Sequence, residues 1–141
     1  MAASRHRIRV RYGETDRMGV AHHSSYVAWI VEARVEALRL LGASYREMED
    51  SGRLMPVVDL HLEYRKPVGF DDELDLATRC EVVSPTRVRF ITEIRCRDAH
   101  IATGTVTVAC IDKTGRPQRV PPEVVDAIAR LTAAPESTRE P

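Results

Sequence analysis

The chain has 141 residues, 43% of them hydrophobic and 30% charged, and its 21 basic residues are balanced by 21 acidic ones. That length and balance fit one globular domain and exclude a disordered chain, and a net charge of zero gives no overall attraction to nucleic acid or anionic lipid. No run reaches the roughly 18 apolar residues that cross a bilayer, and the N-terminal MAASRHRIRV lacks the apolar centre of a secretory signal, so a cytoplasmic protein without membrane insertion is expected.

Arg5 to Tyr12 alternate, with arginines on one side and mostly apolar residues on the other, which predicts a half-buried strand with a solvated arginine face. Gly13 to Gly19 is rich in turn formers and reads as a loop. It leads through His22, His23, Ser24 and Ser25 into a helix, where Tyr26, Trp29, Ile30, Ala33, Ala37, Leu38 and Leu41 recur at helical spacing. Ser24 or Ser25 is the expected N-cap and Gly42 the stop. A second short helix is predicted from Tyr45 to Ser51, ended by Gly52.

From Pro56 the period becomes two. Val58, Leu60, Leu62 and Tyr64 form one apolar set, and Leu74, Leu76, Thr78, Cys80 and Val82 form another. Ser84-Pro85-Thr86 turns the chain into Val88, Phe90, Thr92, Ile94 and Cys96; a turn around Asp98 to His100 then leads into Ile101 to Ile111. Asp112 to Gly115 is the last turn, and Pro121-Pro122-Glu123 opens a short helix carrying Val124, Val125, Ile128 and Leu131. Residues 1–132 are read as one domain and residues 133–141 as a disordered tail. Cys80, Cys96 and Cys110 are odd in number and widely spaced, so reduced core thiols are expected, with neither a disulfide framework nor a zinc site. An α+β domain, an antiparallel sheet of about five strands packed on one long helix, covers every apolar face in this series.

The segment Tyr12-Gly13-Glu14-Thr15-Asp16-Arg17-Met18-Gly19-Val20-Ala21-His22-His23-Ser24-Ser25-Tyr26, with Trp29, Glu32, Ala33 and Arg34 behind it, resembles the 4-hydroxybenzoyl-CoA thioesterase family of hotdog-fold proteins. It is most similar to that family's short acyl-CoA thioesterase branch, which is associated with the Tol-Pal system. Tyr64-Arg65-Lys66-Pro67 followed by Asp71-Asp72-Glu73-Leu74 extends the resemblance to roughly residues 5 to 128. The resemblance implies a sheet wrapped around the long helix and a homodimer of side-by-side sheets, which pairs again into a homotetramer in some members. It also implies active sites at the dimer interface that take an acyl-CoA.

Thioester hydrolysis needs a nucleophile or an activated water, and a donor for the charge that develops on the carbonyl oxygen. No cofactor is expected beyond the CoA of the substrate itself. Asp16 is the candidate nucleophile or general base, since an aspartate is ionised at neutral pH. The resemblance makes the backbone N–H of His23 the oxyanion donor, with Ser24 contributing, and Gly19 the residue that bends the loop towards the helix end. The His23 side chain is a candidate catalytic group and His22 a weaker one; Tyr26 is a candidate substrate contact. CoA phosphates call for cations at the tunnel mouth, and Arg65, Lys66, Arg87 and Arg89 are the candidates. Glu32 and Arg34 read as a structural set, and His61, Glu63 and His100 as solvated or incidental. A hydratase is the nearest enzymatic rival, but the asparagine-proline of those relatives is missing from Arg17 to Ala21. A thioesterase for acyl chains on a carrier protein and a non-catalytic acyl-CoA-binding hotdog protein remain as alternatives.

Overall fold

A computed structural model describes residues 4–40, 42 and 45–133. Its elements in chain order are β1 (Ser4–Arg9), α1 (His23–Leu40), α2 (Tyr45–Asp50), β2 (Val57–Tyr64), β3 (Glu73–Ser84), β4 (Arg87–Cys96), β5 (Ala99–Ala109) and α3 (Pro122–Ala133). A single 3-10 turn, Tyr12–Glu14, stands between β1 and α1. Of the expected tail, residues 134–141 lie outside the described residues, as does Leu41 of the expected helix face. Among the described residues no helix is long and apolar enough to cross a membrane.

The helix forms as its periodicity predicts. Tyr26, Trp29, Ile30, Ala33, Ala37 and Leu38 are all buried, and they lie on the face turned to the sheet. Its start differs from expectation. The first helical residue is His23, so Ser24 and Ser25 sit inside the first turn and His22 takes the capping position. Ser25 instead turns its hydroxyl to the Glu14 carbonyl.

The five strands form one antiparallel sheet in the order β1-β3-β4-β5-β2. Alternation puts Leu74, Leu76, Thr78 and Cys80 of β3 and Val88, Phe90, Thr92, Ile94 and Cys96 of β4 on the buried face. On the other face Arg7 pairs with Asp75 at 3.1 Å and Arg9 with Glu73 at 3.2 Å, so the arginine row is a solvated, self-neutralised surface. The β4–β5 hairpin turns on Arg97 and Asp98, both at positive φ (49° and 69°), as a two-residue turn matched to strand twist requires. His100, expected in that turn, lies in β5 and contacts Thr103 Oγ1. The three cysteines are free and buried, and burial pushes the Cys80 thiol up to about 11, which keeps it protonated.

One part of the pattern is overturned. Val58, Leu60, Leu62 and Tyr64 alternate as if one face of β2 were covered, yet Val58, Leu60 and Tyr64 are 46%, 43% and 48% exposed. The reason is the sheet order. β2 follows α1 in sequence but pairs with β5 at the outer edge, and of these four residues only Leu62 is not exposed there. The connection 65–72 then carries the chain from that edge back across the sheet to β3, which lies on the far side of β4 and β5.

Candidate active site

The loop that carries Asp16 is closed on itself. Asp16 N–H donates to the Val20 carbonyl (2.9 Å), Gly19 N–H to the Asp16 carbonyl (3.0 Å), and Thr15 pairs with Ala21. Gly19 sits at φ +80°, a conformation that glycine adopts without strain. Asp16 Oδ1 accepts the Met18 N–H at 2.8 Å, and no hydrogen bond to Oδ2 is found among the described residues. The side chain is half-buried, and its second oxygen is left without a protein donor among the described residues.

The helix that follows presents its first amides to the same region, where the positive end of its dipole favours developing negative charge. Ser24 N–H donates to His22 Nδ1 at 3.2 Å, with Ser24 Oγ 2.8 Å from the same nitrogen. Ser25 N–H donates to the His22 carbonyl. That leaves the His23 N–H, for which no partner is found among the described residues. The rings of His22 and His23 stack at 4.2 Å, both exposed. The His22 nitrogen that caps the helix is therefore occupied, while the His23 ring borders the cavity described next.

A cavity of about 270 Å³ opens beside the helix start, lined by Ala21, His23, Tyr26 and the run Tyr64 to Pro67. Tyr64 Oη donates to the His23 carbonyl at 3.2 Å, and its ring meets Tyr26 edge-on at 4.9 Å. Burial pushes the Tyr26 phenol above its ordinary value; the neighbouring Tyr64 adds to this, and a hydrogen bond with the Val68 backbone opposes it. Tyr26 is neutral throughout the physiological range.

The structure thus brings His23, Tyr26, Arg65 and Lys66 to one cavity. The Asp16 loop adjoins it through Ala21. Arg87 and Arg89 are not brought there. Both lie at the Ala109–Thr107 end of β5, whereas Tyr64 pairs at Ala102, and Arg89 is engaged with Glu81 at 3.1 Å. Arg65 is paired with Glu63 at 2.8 Å on the exposed side of the mouth. Glu32 reaches back to His6 of β1, in keeping with a structural role.

Three participants escape a reading of the residues alone. Tyr64 and Pro67 line the cavity, and only the resemblance pointed to their segment. Glu14 joins the loop to the helix: its carboxylate accepts the Arg11 N–H (2.7 Å) and Trp29 Nε1–H (3.0 Å), and its carbonyl accepts the His22 N–H (2.8 Å). The available signals were the three-residue spacing from Arg11, a capping-box interval, and the presence of a single tryptophan in the chain.

A helix cradled by one antiparallel sheet, with a carboxylate loop leading into its N-terminus, is the hotdog arrangement of thioesterases. Residues 10–128 match the thioesterase-like superfamily, and the chain belongs to it. It is 30% identical over 120 residues to the acyl-CoA thioester hydrolase YbgC of Escherichia coli, covering 84% of this chain and 90% of that one. It is 27% identical over 123 residues to a 1,4-dihydroxy-2-naphthoyl-CoA hydrolase of Synechococcus, covering 83% of each. A solved DHNA-CoA thioesterase from Staphylococcus aureus superposes with a TM-score of 0.87 at 33% identity, over 94% of this chain and 93% of that one.

Proposed function

We propose that the chain hydrolyses acyl-CoA thioesters to the free acid and CoA, with Asp16 as the reacting carboxylate and the His23 amide as the oxyanion donor. The reading rests chiefly on one observation: a half-buried aspartate with an uncommitted oxygen and an uncommitted helix N-terminal amide belong to segments tied together beside a single cavity. Its similarity to an acyl-CoA thioester hydrolase and to two naphthoyl-CoA thioesterases supports the substrate class. The Tyr12 to Tyr26 motif supports the finer placement in the 4-hydroxybenzoyl-CoA thioesterase family and its short acyl-CoA branch.

Two routes are open to the carboxylate. It attacks the carbonyl carbon and expels the CoA thiolate, giving a mixed anhydride that water then cleaves; or it takes a proton from a water whose oxygen makes that attack. In both, the carbonyl oxygen gains charge opposite the His23 N–H, a contact of a kind worth about 2.7–4 kcal/mol in the transition state. The departing thiolate takes up a proton, for which the exposed His23 ring at the cavity is the candidate donor. The reaction calls for no cofactor. Arg65 and Lys66, at the cavity, are the cations placed to receive CoA phosphates.

The unpaired edge of β2 supports a homodimer. A long edge strand with Val57, Val58, Leu60 and Tyr64 exposed is a template for pairing with another chain, and a second copy would cover it and extend the sheet. Such pairing would also wall the cavity at Tyr64.

The test is free-thiol release from short-chain, long-chain and aromatic acyl-CoAs and from an acyl-carrier thioester, by the wild type and by Asp16→Ala checked for folding. Loss of turnover by about 100-fold or more in a folded Asp16→Ala would support the assignment. Undiminished turnover would sink it. Wild-type activity on the carrier substrate alone would replace CoA by a carrier protein, and tight acyl-CoA binding without turnover would make the chain a binding protein.

A further inference from the structure

Glu14 is attached at both of its ends to groups that surround the reaction. Its side chain is only 13% exposed, and its carboxylate accepts three donors: the Arg11 N–H at 2.7 Å, Trp29 Nε1–H at 3.0 Å and Arg11 Nη2–H at 3.3 Å. Its carbonyl accepts two more, the His22 N–H at 2.8 Å and the Ser25 hydroxyl at 2.9 Å. One residue thus grips the base of the loop, the first turn of α1 and a side chain six residues into that helix.

The Asp16 loop is internally closed, so it moves as a unit with whatever holds its ends. After the loop, Ala21 N–H donates to the Val68 carbonyl, and Val20 pairs with Gly69; these bonds tie it to the segment leaving β2, not to the helix. The bonds from the segment ahead of the loop to α1 converge on Glu14. Trp29 packs behind the cavity wall, against its lining residue Tyr26. Its ring meets Tyr26 at 4.9 Å, Tyr26 meets Tyr64 at the same distance, and Tyr64 returns to the His23 carbonyl. The circuit therefore runs from Glu14 through three aromatic rings to the His23 carbonyl, one peptide group along from the proposed oxyanion amide.

We propose that Glu14 is a positioning residue for thioester hydrolysis, its carboxylate and carbonyl together fixing the spacing between the Asp16 carboxylate and the His23 amide. The proposal rests on the reading of Asp16 and His23 given above. A carboxylate suits the place because it only accepts hydrogen bonds, and all three of its partners are donors. A glutamine of the same size must turn its NH2 group towards one of those donors, so it disturbs the clamp without removing its bulk.

A displacement of about 1 Å between reacting groups can cost on the order of 100-fold in rate. Glu14→Gln is therefore expected to lower kcat about 10- to 100-fold while KM changes by less than about 3-fold, because substrate contacts are left in place. Trp29→Phe, which keeps a ring but loses the indole donor, should lower kcat several-fold in the same sense. As Trp29 is the single tryptophan, its indole N–H gives one proton resonance, and in Glu14→Gln this should move upfield as the charge-assisted bond is lost. The experiment measures kcat, KM, melting temperature and that resonance for wild type, Glu14→Gln, Trp29→Phe and Asp16→Ala. A folded Glu14→Gln with wild-type kcat would overturn the proposal, as would a loss confined to KM. If Glu14→Gln does not fold, Trp29→Phe decides, and unchanged kcat there overturns it. Full activity in Asp16→Ala would instead refute the role given to Asp16, an outcome distinct from a failure at Glu14.

Discussion

Ile30 of α1 packs directly over Gly104 of β5: a Cβ built on residue 104 would stand 2.7 Å from Ile30 Cδ1, 3.1 Å from its Cγ2 and 3.2 Å from Leu62 Cδ2. The missing side chain lets a buried isoleucine of the helix and a leucine of the edge strand share one space above β5. Gly104→Ala is thus an overpacking change, of a kind that costs about 1–3 kcal/mol. Thermal unfolding should show a melting temperature lower by several degrees. An unchanged or raised value would mean that Ile30 swings aside at no cost.

His22 caps α1 through its ring nitrogen, and capping contacts are typically worth about 0.5–2 kcal/mol. His22→Ala should lose stability in that range, while His22→Asn or His22→Asp should recover most of it, because either can accept the Ser24 N–H. If His22 is a cap and no more, kcat should stay within a few-fold of wild type in His22→Asn. A much larger loss would give its ring a part in the chemistry.

The Glu14 carboxyl gives a pH prediction with a definite sign. Burial resists its ionisation, but the Arg11 amide, the Trp29 indole and the Arg11 guanidinium outweigh that and hold it below its ordinary value of 4.5. A lowered carboxyl contributes stability that is complete above the ordinary value and is lost as pH falls through the lowered one. Wild type should therefore exceed Glu14→Gln in urea midpoint at pH 6, and the gap should narrow on acidification below the ordinary value of 4.5. A gap that widens on acidification would contradict a lowered carboxyl.

Leu60 lies on the exposed edge strand, opposite Val106 of β5, and is 43% exposed. Leu60→Lys places a charge where a second copy is proposed to pair, and lysine on an edge strand discourages such pairing. Sedimentation should show the wild type as a dimer or larger and the variant shifted to monomer, with turnover falling alongside. A monomeric wild type would remove β2 as the interface.

The legible parts of the sequence were those where periodicity acts alone. Trp29, Ile30, Ala33, Ala37 and Leu38 announced a helix buried along one stripe, and the alternation in β3 and β4 announced their inner face. Sheet order was not legible, since a period of two gives a strand's faces but not its neighbours; hence Leu60 and Tyr64 were expected inside and are exposed at an edge. Asp16, Gly19 and His23 stood out because they fall in a recognisable motif. The His22 cap did not, because two serines stand next to it and serine is the commoner cap. Arg87 and Arg89 looked like Arg65 and Lys66 in sequence, and only the register sends the two pairs to different ends of the sheet.

The path of the chain also fixes the order in which the domain can be completed. β2 ends at residue 64, but the strand it needs begins at residue 99, so the cavity wall at Tyr64 to Pro67 rests on contacts of large sequence separation. Such non-local pairing is slow to form. On the ribosome, a nascent chain that has emerged only as far as β4 carries an apolar strand with no partner of its own, open to other chains at the same stage. The pocket wall is then completed only once β5 has emerged, and a chain truncated ahead of β5 would keep an unpartnered β2 that invites aggregation.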